Sequence, residues 1–153
     1  MKMETFPEPW HVVGGNGVGG LTLLALMTAN ELYEAVPQAQ ARGFFLAIGK
    51  RMAALEPLDG INDASALSAR LNAFWATLDW GTAEIVVGDD AITVHHHGLP
   101  KSNALDKGRH WASMLLAVVE GAYDAWFRML GSGPALVTRA SWKGDTFELH
   151  HGR

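Results

Sequence analysis

Histidines at the ends of two predicted strands are the residues best suited to bind a metal. His95–His97 closes the run AITVHHH, and His150–His151 closes FELHH. On a strand the outer two histidines of the triplet share one face, and His96 points to the other. Zinc accepts histidine ligands but also needs carboxylates to orient them. Because Glu84 and Glu148 are the only acids on these strands, we expect a polar strand end and an exposed C-terminal segment, with no metal and no cofactor.

Acidic pairs are the second group of residues that could do chemistry. Asp89-Asp90 lies between two β-branched runs, where adjacent acids normally form a turn. Glu120 and Asp124 are spaced i,i+4 on a predicted helix, which favours a solvated stripe or a salt bridge between subunits. No serine lies in a GxSxG motif, and no nucleophile–base pair is recognisable. The protein is therefore predicted not to be an enzyme. Two alternatives stay open: a hydrolase using Glu120, Asp124 and a histidine, and a small-molecule or metal-binding module using the histidine clusters.

A glycine-rich segment, GNGVGG at 15–20, matches the GxGxxG pattern of dinucleotide-binding sites. Such a site needs a preceding strand and a following parallel strand that carries an acid for the ribose. Here a second helical pattern follows instead, so we interpret the glycines as a hinge. Residues 1–20 are predicted to be a flexible arm. Pro7 and Pro9 favour extended backbone, and Phe6 and Trp10 suggest that the arm docks on a surface.

The composition sets limits on the class of protein. The chain has 153 residues, 48% hydrophobic and only 18% charged, with six tryptophans. So much apolar surface favours an obligate oligomer over a monomer with a rich core. The net charge of −4 provides no basic stripe for nucleic acid, and there is no cysteine. The segment MKMETFPEPW does not have the pattern of a signal peptide, and Leu21–Met27 is too short to span a membrane, so we expect a cytoplasmic location.

Hydrophobic periodicity predicts the order ααα-ββ-α-ββ. Helices are predicted at about 21–33, 38–55 and 64–78, and a longer one at 110–130, with hairpins around Gly88–Asp90 and Lys143–Asp145. Segregated helices and hairpins indicate one α+β domain at 21–153, in which three N-terminal helices and the long helix pack on a small antiparallel sheet. Between the third helix and the first hairpin lies Asp79-Trp80-Gly81, the predicted structural joint, where Gly81 should end the helix.

The long helix is apolar over about two thirds of its circumference. Such a helix must face two neighbours. One should be the sheet, and the other either the first helix or the same helix in a second subunit. Seven residues are predicted to form a contact between subunits, in which a glycine allows close approach: Trp111, Leu115, Val118, Gly121, Ala122, Tyr123 and Trp126.

Several motifs in order resemble the D subunit of bacterial cellulose synthase, the BcsD family. They are Leu71–Ala73 with Leu78–Gly81, His97–Pro100, Trp111, and Val118–Tyr123 with Trp126. The helix segment Ile48–Ala53 fits as well, so the resemblance covers roughly Phe44 to Phe127.

The resemblance implies a non-catalytic accessory subunit. Family members are expected to form octamers, as tetramers of dimers with internal passageways, and to organise or guide nascent β-1,4-glucan or to align synthase complexes. The partners implied are further copies of the chain, other synthase subunits and the glucan itself. In a relative the N-terminal arms lie inside the ring, which makes Phe6 and Trp10 candidate residues for stacking on sugar rings. The family has also been described as periplasmic, which is the alternative to the cytoplasm.

Overall fold

The computed structural model describes residues 19–102 and 105–153, which form an α+β fold. The predicted arm at 1–20 lies almost entirely outside the described residues, and so do Phe6 and Trp10. Among the described residues the element order is the predicted one: α1 (Gly20–Ala35), α2 (Gln38–Ala53), α3 (Ala64–Thr77), β1 (Thr82–Val87), β2 (Ala91–His97), α4 (His110–Met129), β3 (Val137–Lys143) and β4 (Thr146–Gly152). The predicted fold class is confirmed.

The two hairpins join into one antiparallel sheet of strand order β1-β2-β4-β3. The central pair places His96 opposite Phe147 and Val94 opposite Leu149. These four side chains are all buried, because alternate residues of each strand face the helices. The other face of the sheet carries mostly polar side chains, as is typical of an antiparallel sheet with one solvated face.

Helix α4 packs between α2 and the sheet, and two glycines allow its close approach to α2. A Cβ on Gly121 would overlap the backbone of Leu46, and a Cβ on Gly49 would overlap the carbonyl oxygen of Val118. Since the obstacles are backbone atoms, a larger residue could fit only if the helices separated. Gly121 therefore allows α4 to approach α2 of the same chain, whereas the sequence favours a close approach between subunits.

The end of α3 differs from the prediction in one respect. Asp79, with φ of 56°, takes the left-handed conformation that ends the helix. The amides of Asp79 and Trp80 donate to the carbonyls of Ala76 and Trp75, which is the Schellman pattern. Gly81, which was expected to stop the helix, has a different role. It also has a positive φ, and a Cβ there would overlap the carbonyl oxygen of His97.

One side chain fixes the angle between α3 and the sheet. The Asn72 amide nitrogen donates to the carbonyl of Ala83 at 2.9 Å, and the amide of Ala83 donates to the Asn72 oxygen at 2.7 Å. Asn72 thus pairs with the start of β1 as a neighbouring strand would. At the other end of α3, Asp63 caps the helix by accepting from the amide of Ala66.

Candidate functional site

A buried hydrogen-bond network lies where the Asp79-Trp80-Gly81 joint meets α4. One ring nitrogen of His96, Nε2, is 2.6 Å from the carbonyl oxygen of Trp80, and the other, Nδ1, is 2.8 Å from the hydroxyl of Tyr123. That hydroxyl also accepts from the indole N–H of Trp75 at 3.0 Å. A carbonyl can only accept, so Nε2 donates and Nδ1 accepts the tyrosine proton. Every polar group is satisfied when His96 is neutral.

Burial determines the charge state of this network. Loss of solvent around the imidazole lowers the pKa of His96 to about 4, although its bond to the Trp80 carbonyl opposes the change. Burial also raises the pKa of Tyr123 well above its ordinary value. Both side chains are therefore neutral at physiological pH. This corrects the sequence analysis, in which His96 belonged to a polar strand end, because His96 is fully buried.

A charged pair connects α4 to α2. The guanidinium of Arg42 donates to the Glu120 carboxylate at 2.9 Å, and the Glu120 side chain is only 6% exposed. Burial raises the pKa of Glu120, while the hydrogen bond from Arg42 acts in the other direction. The expectation that Glu120 belongs to a solvated stripe is wrong. The helical periodicity of α4 alone places Glu120 on a polar stripe, but in the folded chain α2 covers this residue.

The third polar group is a chain of three side chains, Asp124, Thr138 and His151. The Thr138 hydroxyl lies 2.6 Å from the Asp124 carboxylate and 2.6 Å from Nδ1 of His151. The hydroxyl donates to the carboxylate, so it accepts from Nδ1. Burial would raise the pKa of Asp124, but hydrogen bonds from Thr138 and Arg128 outweigh it and lower that pKa. Burial lowers the pKa of His151.

His151 lines a cleft between the start of α3, the β1–β2 turn and the end of α4. The cleft has a volume of about 580 Å³, within the range of small-molecule sites. We call it the His151 cleft. Asp89-Asp90 lies on its rim in the hairpin turn, as predicted. The expectation that His151 belongs to an exposed C-terminal segment is wrong, because its side chain is fully buried.

Helices α1 and α2 carry several exposed apolar side chains. Leu24, Met27 and Phe44 are 64%, 43% and 49% exposed. Met27 and Phe44 line a groove between the two helices that also includes Leu32 and Ala35. We call this the α1–α2 surface. Leu21, on the first turn of α1, is 84% exposed and extends the apolar character of this helix.

A comparison with protein-family models decides the identity of the family. A model for the D subunit of cellulose synthase matches residues 22–152, which is nearly the whole chain. The chain belongs to the cellulose synthase D-subunit family. A search of curated proteins finds no match. The family match confirms the resemblance drawn from the ordered motifs. It supports a role in cellulose synthesis, as an accessory subunit and not the catalytic one.

In this member of the D-subunit family the seven residues predicted to contact another subunit lie inside one protomer. All are buried in the described chain. Trp126 donates to carbonyls of Ala53 and Glu56 at 3.2 Å, and Trp111 donates to the carbonyl of Pro100 at 2.9 Å. Their role between subunits stays a prediction.

Three further histidines of this D-subunit protein, His95, His97 and His150, lie on the solvated face of the sheet. His97 and His150 are exposed as expected, and His95 lies 3.3 Å from Glu148. Within residues 19–102 and 105–153, no three histidine or acidic side chains are grouped so as to hold a metal ion. Over the same residues, no helix combines the length and apolarity needed to cross a membrane. Asp124 and His151 do share a chain of hydrogen bonds, but Glu120 pairs with Arg42 instead of joining them.

Proposed function

We propose that this protein is a non-catalytic, self-associating component of the cellulose synthase complex that helps to order β-1,4-glucan chains or synthase complexes. The observation that carries the proposal is the α1–α2 surface, in a chain of the D-subunit family. Contiguous exposed apolar side chains on a soluble domain mark surfaces that bind another protein. We assign this surface to a second copy of the chain, within an octamer built as a tetramer of dimers.

The energetics favour an assembled state. Burying a large apolar side chain contributes about 1.5–3 kcal/mol, and Leu24, Met27 and Phe44 are each at least 43% exposed in the protomer. Helix α1 also has little internal support, because only Leu26 and Ala29 of its sixteen residues are buried. A second copy packed on this face would cover the apolar side chains and hold α1 in place.

Sedimentation velocity tests self-association. Leu24→Glu places a charge in the middle of the α1–α2 surface and should shift the assembly to smaller species at micromolar concentration. Ala69→Glu adds the same charge at an exposed position of α3 and should sediment like the wild type. A wild-type protein that is monomeric under these conditions, or a Leu24→Glu protein of unchanged size, contradicts the proposal.

We further propose that the N-terminal residues Phe6 and Trp10 contact the glucan chain. Aromatic rings offer apolar faces on which sugar rings can stack, and the family resemblance places these arms inside the assembled ring. Trp10→Ala should weaken binding of cello-oligosaccharides and reduce the order of secreted cellulose without changing oligomer size. Unchanged binding and unchanged cellulose order would remove these residues from the proposed role.

We assign the protein to the cytoplasmic side of the inner-membrane synthase complex, beside other subunits. The support for association with the complex is the match to the D-subunit family over residues 22–152. Protease added to intact spheroplasts should leave a protein on the cytoplasmic side uncut, and should cut it only after lysis. Cleavage in intact spheroplasts would favour the periplasmic alternative.

A further inference from the structure

Two buried polar atoms without a partner belong to residues of the His151 cleft. Within the described chain, Nε2 of His151 and Oγ of Ser132 are the buried side-chain nitrogen and oxygen atoms that make no hydrogen bond. Both residues line the cleft. Buried polar groups in native proteins are almost always paired, so each exception needs a reason. A ligand in the cleft provides the same reason for both atoms.

The chain of hydrogen bonds behind His151 determines which kind of group its free nitrogen accepts. Nδ1 carries the proton because it donates to the Thr138 hydroxyl, which in turn donates to Asp124. In the neutral imidazole Nε2 is then a lone-pair acceptor. Burial lowers the pKa of His151, which keeps the ring in this form. The complementary group is a hydrogen-bond donor, and the Ser132 hydroxyl can either donate or accept.

The rim and walls of the cleft restrict the ligand further. Asp63, Asp89 and Asp90 give the rim three carboxylates against the single guanidinium of Arg153, which disfavours an anion. The walls include the apolar side chains of Phe127, Leu130 and Leu136. Vicinal hydroxyl groups on a ring with apolar faces match this combination, since hydroxyls donate to carboxylates and imidazole and accept from arginine.

We propose that the His151 cleft binds a neutral sugar, one hydroxyl of which donates to Nε2 of His151 while another pairs with Ser132. Thr138 and Asp124 act behind it as positioning residues that fix the imidazole tautomer. The choice of a β-1,4-linked glucose oligomer as the sugar rests on the proposed function. The cleft itself is defined by residues of the described part of the chain.

Calorimetric titration of the full-length protein with cellotetraose tests the site. Ser132→Ala removes one hydroxyl, and Thr138→Val removes the group that fixes the tautomer; each should lower the association constant about tenfold. The matched controls, Ser141→Ala and Thr93→Val, alter the same residue types on the opposite face of the sheet and should bind like the wild type. In the wild type, the imidazole ¹⁵N resonance of Nε2 should move towards the position of a hydrogen-bonded acceptor as sugar is added.

Three results overturn the inference. One is no binding at about 10 mM sugar, a concentration that would detect even millimolar affinity. Another is binding that is unchanged in Ser132→Ala and Thr138→Val, or chemical-shift changes confined to residues outside the cleft. The third is tighter binding of inorganic phosphate or of magnesium than of the sugar. Sedimentation of the same samples separates this inference from the proposed function: intact assembly without sugar binding overturns the cleft alone.

Discussion

Acidification from about pH 7.5 to about pH 4.5 should destabilise the folded protein through His96. In the folded chain both ring nitrogens of His96 are occupied, one donating to the carbonyl of Trp80 and one accepting from Tyr123. If Nδ1 of His96 took up a second ring proton, it could no longer accept the hydrogen bond from Tyr123. Two hydrogen-bond donors would then face each other. The second proton would also place a charge at a position that is fully buried.

The magnitude follows from the two pKa values of this imidazole. The ordinary pKa is 6.5, and burial lowers it to about 4 in the folded chain. Between these values the unfolded chain binds a proton and the folded chain does not, so the free energy of unfolding falls as the pH falls. The contribution of neutral His96 to stability is fully present above pH 6.5 and is lost progressively as the pH falls to about 4. Over the stated window the loss is about 2.5 kcal/mol.

Two other buried groups have shifted pKa values, and their effects on stability act in opposite directions on acidification. Burial lowers the pKa of His151, so it adds to the loss of stability on acidification. Burial raises the pKa of Glu120, so the folded chain takes up a proton there before the unfolded chain does, which offsets part of the loss. The contribution of His96 must therefore be measured as a difference between wild type and a variant.

The assay is urea unfolding of the wild type and of His96→Gln at a series of pH values and one protein concentration. Glutamine does not titrate, so the free energy of unfolding of the variant should lose its steep fall between about pH 6.5 and about pH 4.5. The exposed His150→Gln variant should retain the wild-type slope. Parallel pH profiles for wild type and His96→Gln would refute the reasoning. If His96→Gln does not fold, an imidazole resonance of His96 in the wild type that titrates near pH 6.5 would refute it equally.

Three further substitutions, and a fourth at Gly43 as a control, probe the contacts that hold the helices. Gly121→Ala should lower the free energy of unfolding by about 2 kcal/mol or more, because its Cβ meets the α2 backbone. Gly43→Ala in α2, where a Cβ meets nothing within 4 Å, should instead raise the free energy of unfolding by up to about 1 kcal/mol. Thermal unfolding of both variants tests this difference, and equal effects would contradict it. Arg42→Ala should cost about 2 kcal/mol at neutral pH by leaving buried Glu120 without its partner, and the loss should shrink on acidification. If urea unfolding showed the same loss of stability for Arg42→Ala at every pH, this prediction would be contradicted. Trp80→Ala should lower the free energy of unfolding by about 2 kcal/mol and should weaken assembly more readily than any binding activity. Unchanged melting and an unchanged oligomer size would show that the Asp79-Trp80-Gly81 joint is not critical.

Local signals in the sequence were sufficient to predict most elements of the fold. Helix periods and the glycine-containing turns each depend on residues close in the chain, and the helices and hairpins they predict are observed. The end of α3 was misassigned by two residues because aspartate, like glycine, tolerates the left-handed conformation. Asp79 takes it here, and Gly81 is needed for a contact with the distant strand end at His97.

The polar centres were harder to predict because they depend on contacts between distant parts of the chain. The alternation of β2 did carry a signal, since it places His96 on the same face as Ile92 and Val94, and an inward histidine on an apolar face indicates burial. The partners of that histidine lie on α4 and at the joint, which no spacing in the strand reveals. The partner of Glu120 was hidden for the same reason, because Arg42 is 78 positions away.

Helix α1 differs from the rest of the fold in how it is held, and this difference bears on assembly. The core of α2, α4 and the sheet is held by backbone-to-backbone packing at two glycines and by a fully satisfied polar network around His96. By contrast, α1 is held near its C-terminal half, where Asn30 bonds His110 and Tyr33 stacks on Phe45, while its first two turns carry the exposed leucines. Because contacts with a second copy must supply what the protomer does not, amide hydrogen exchange of residues 20–27 should slow on assembly. In the Leu24→Glu protein it should approach that of a fraying helix end, while the amides of α4 stay protected in both.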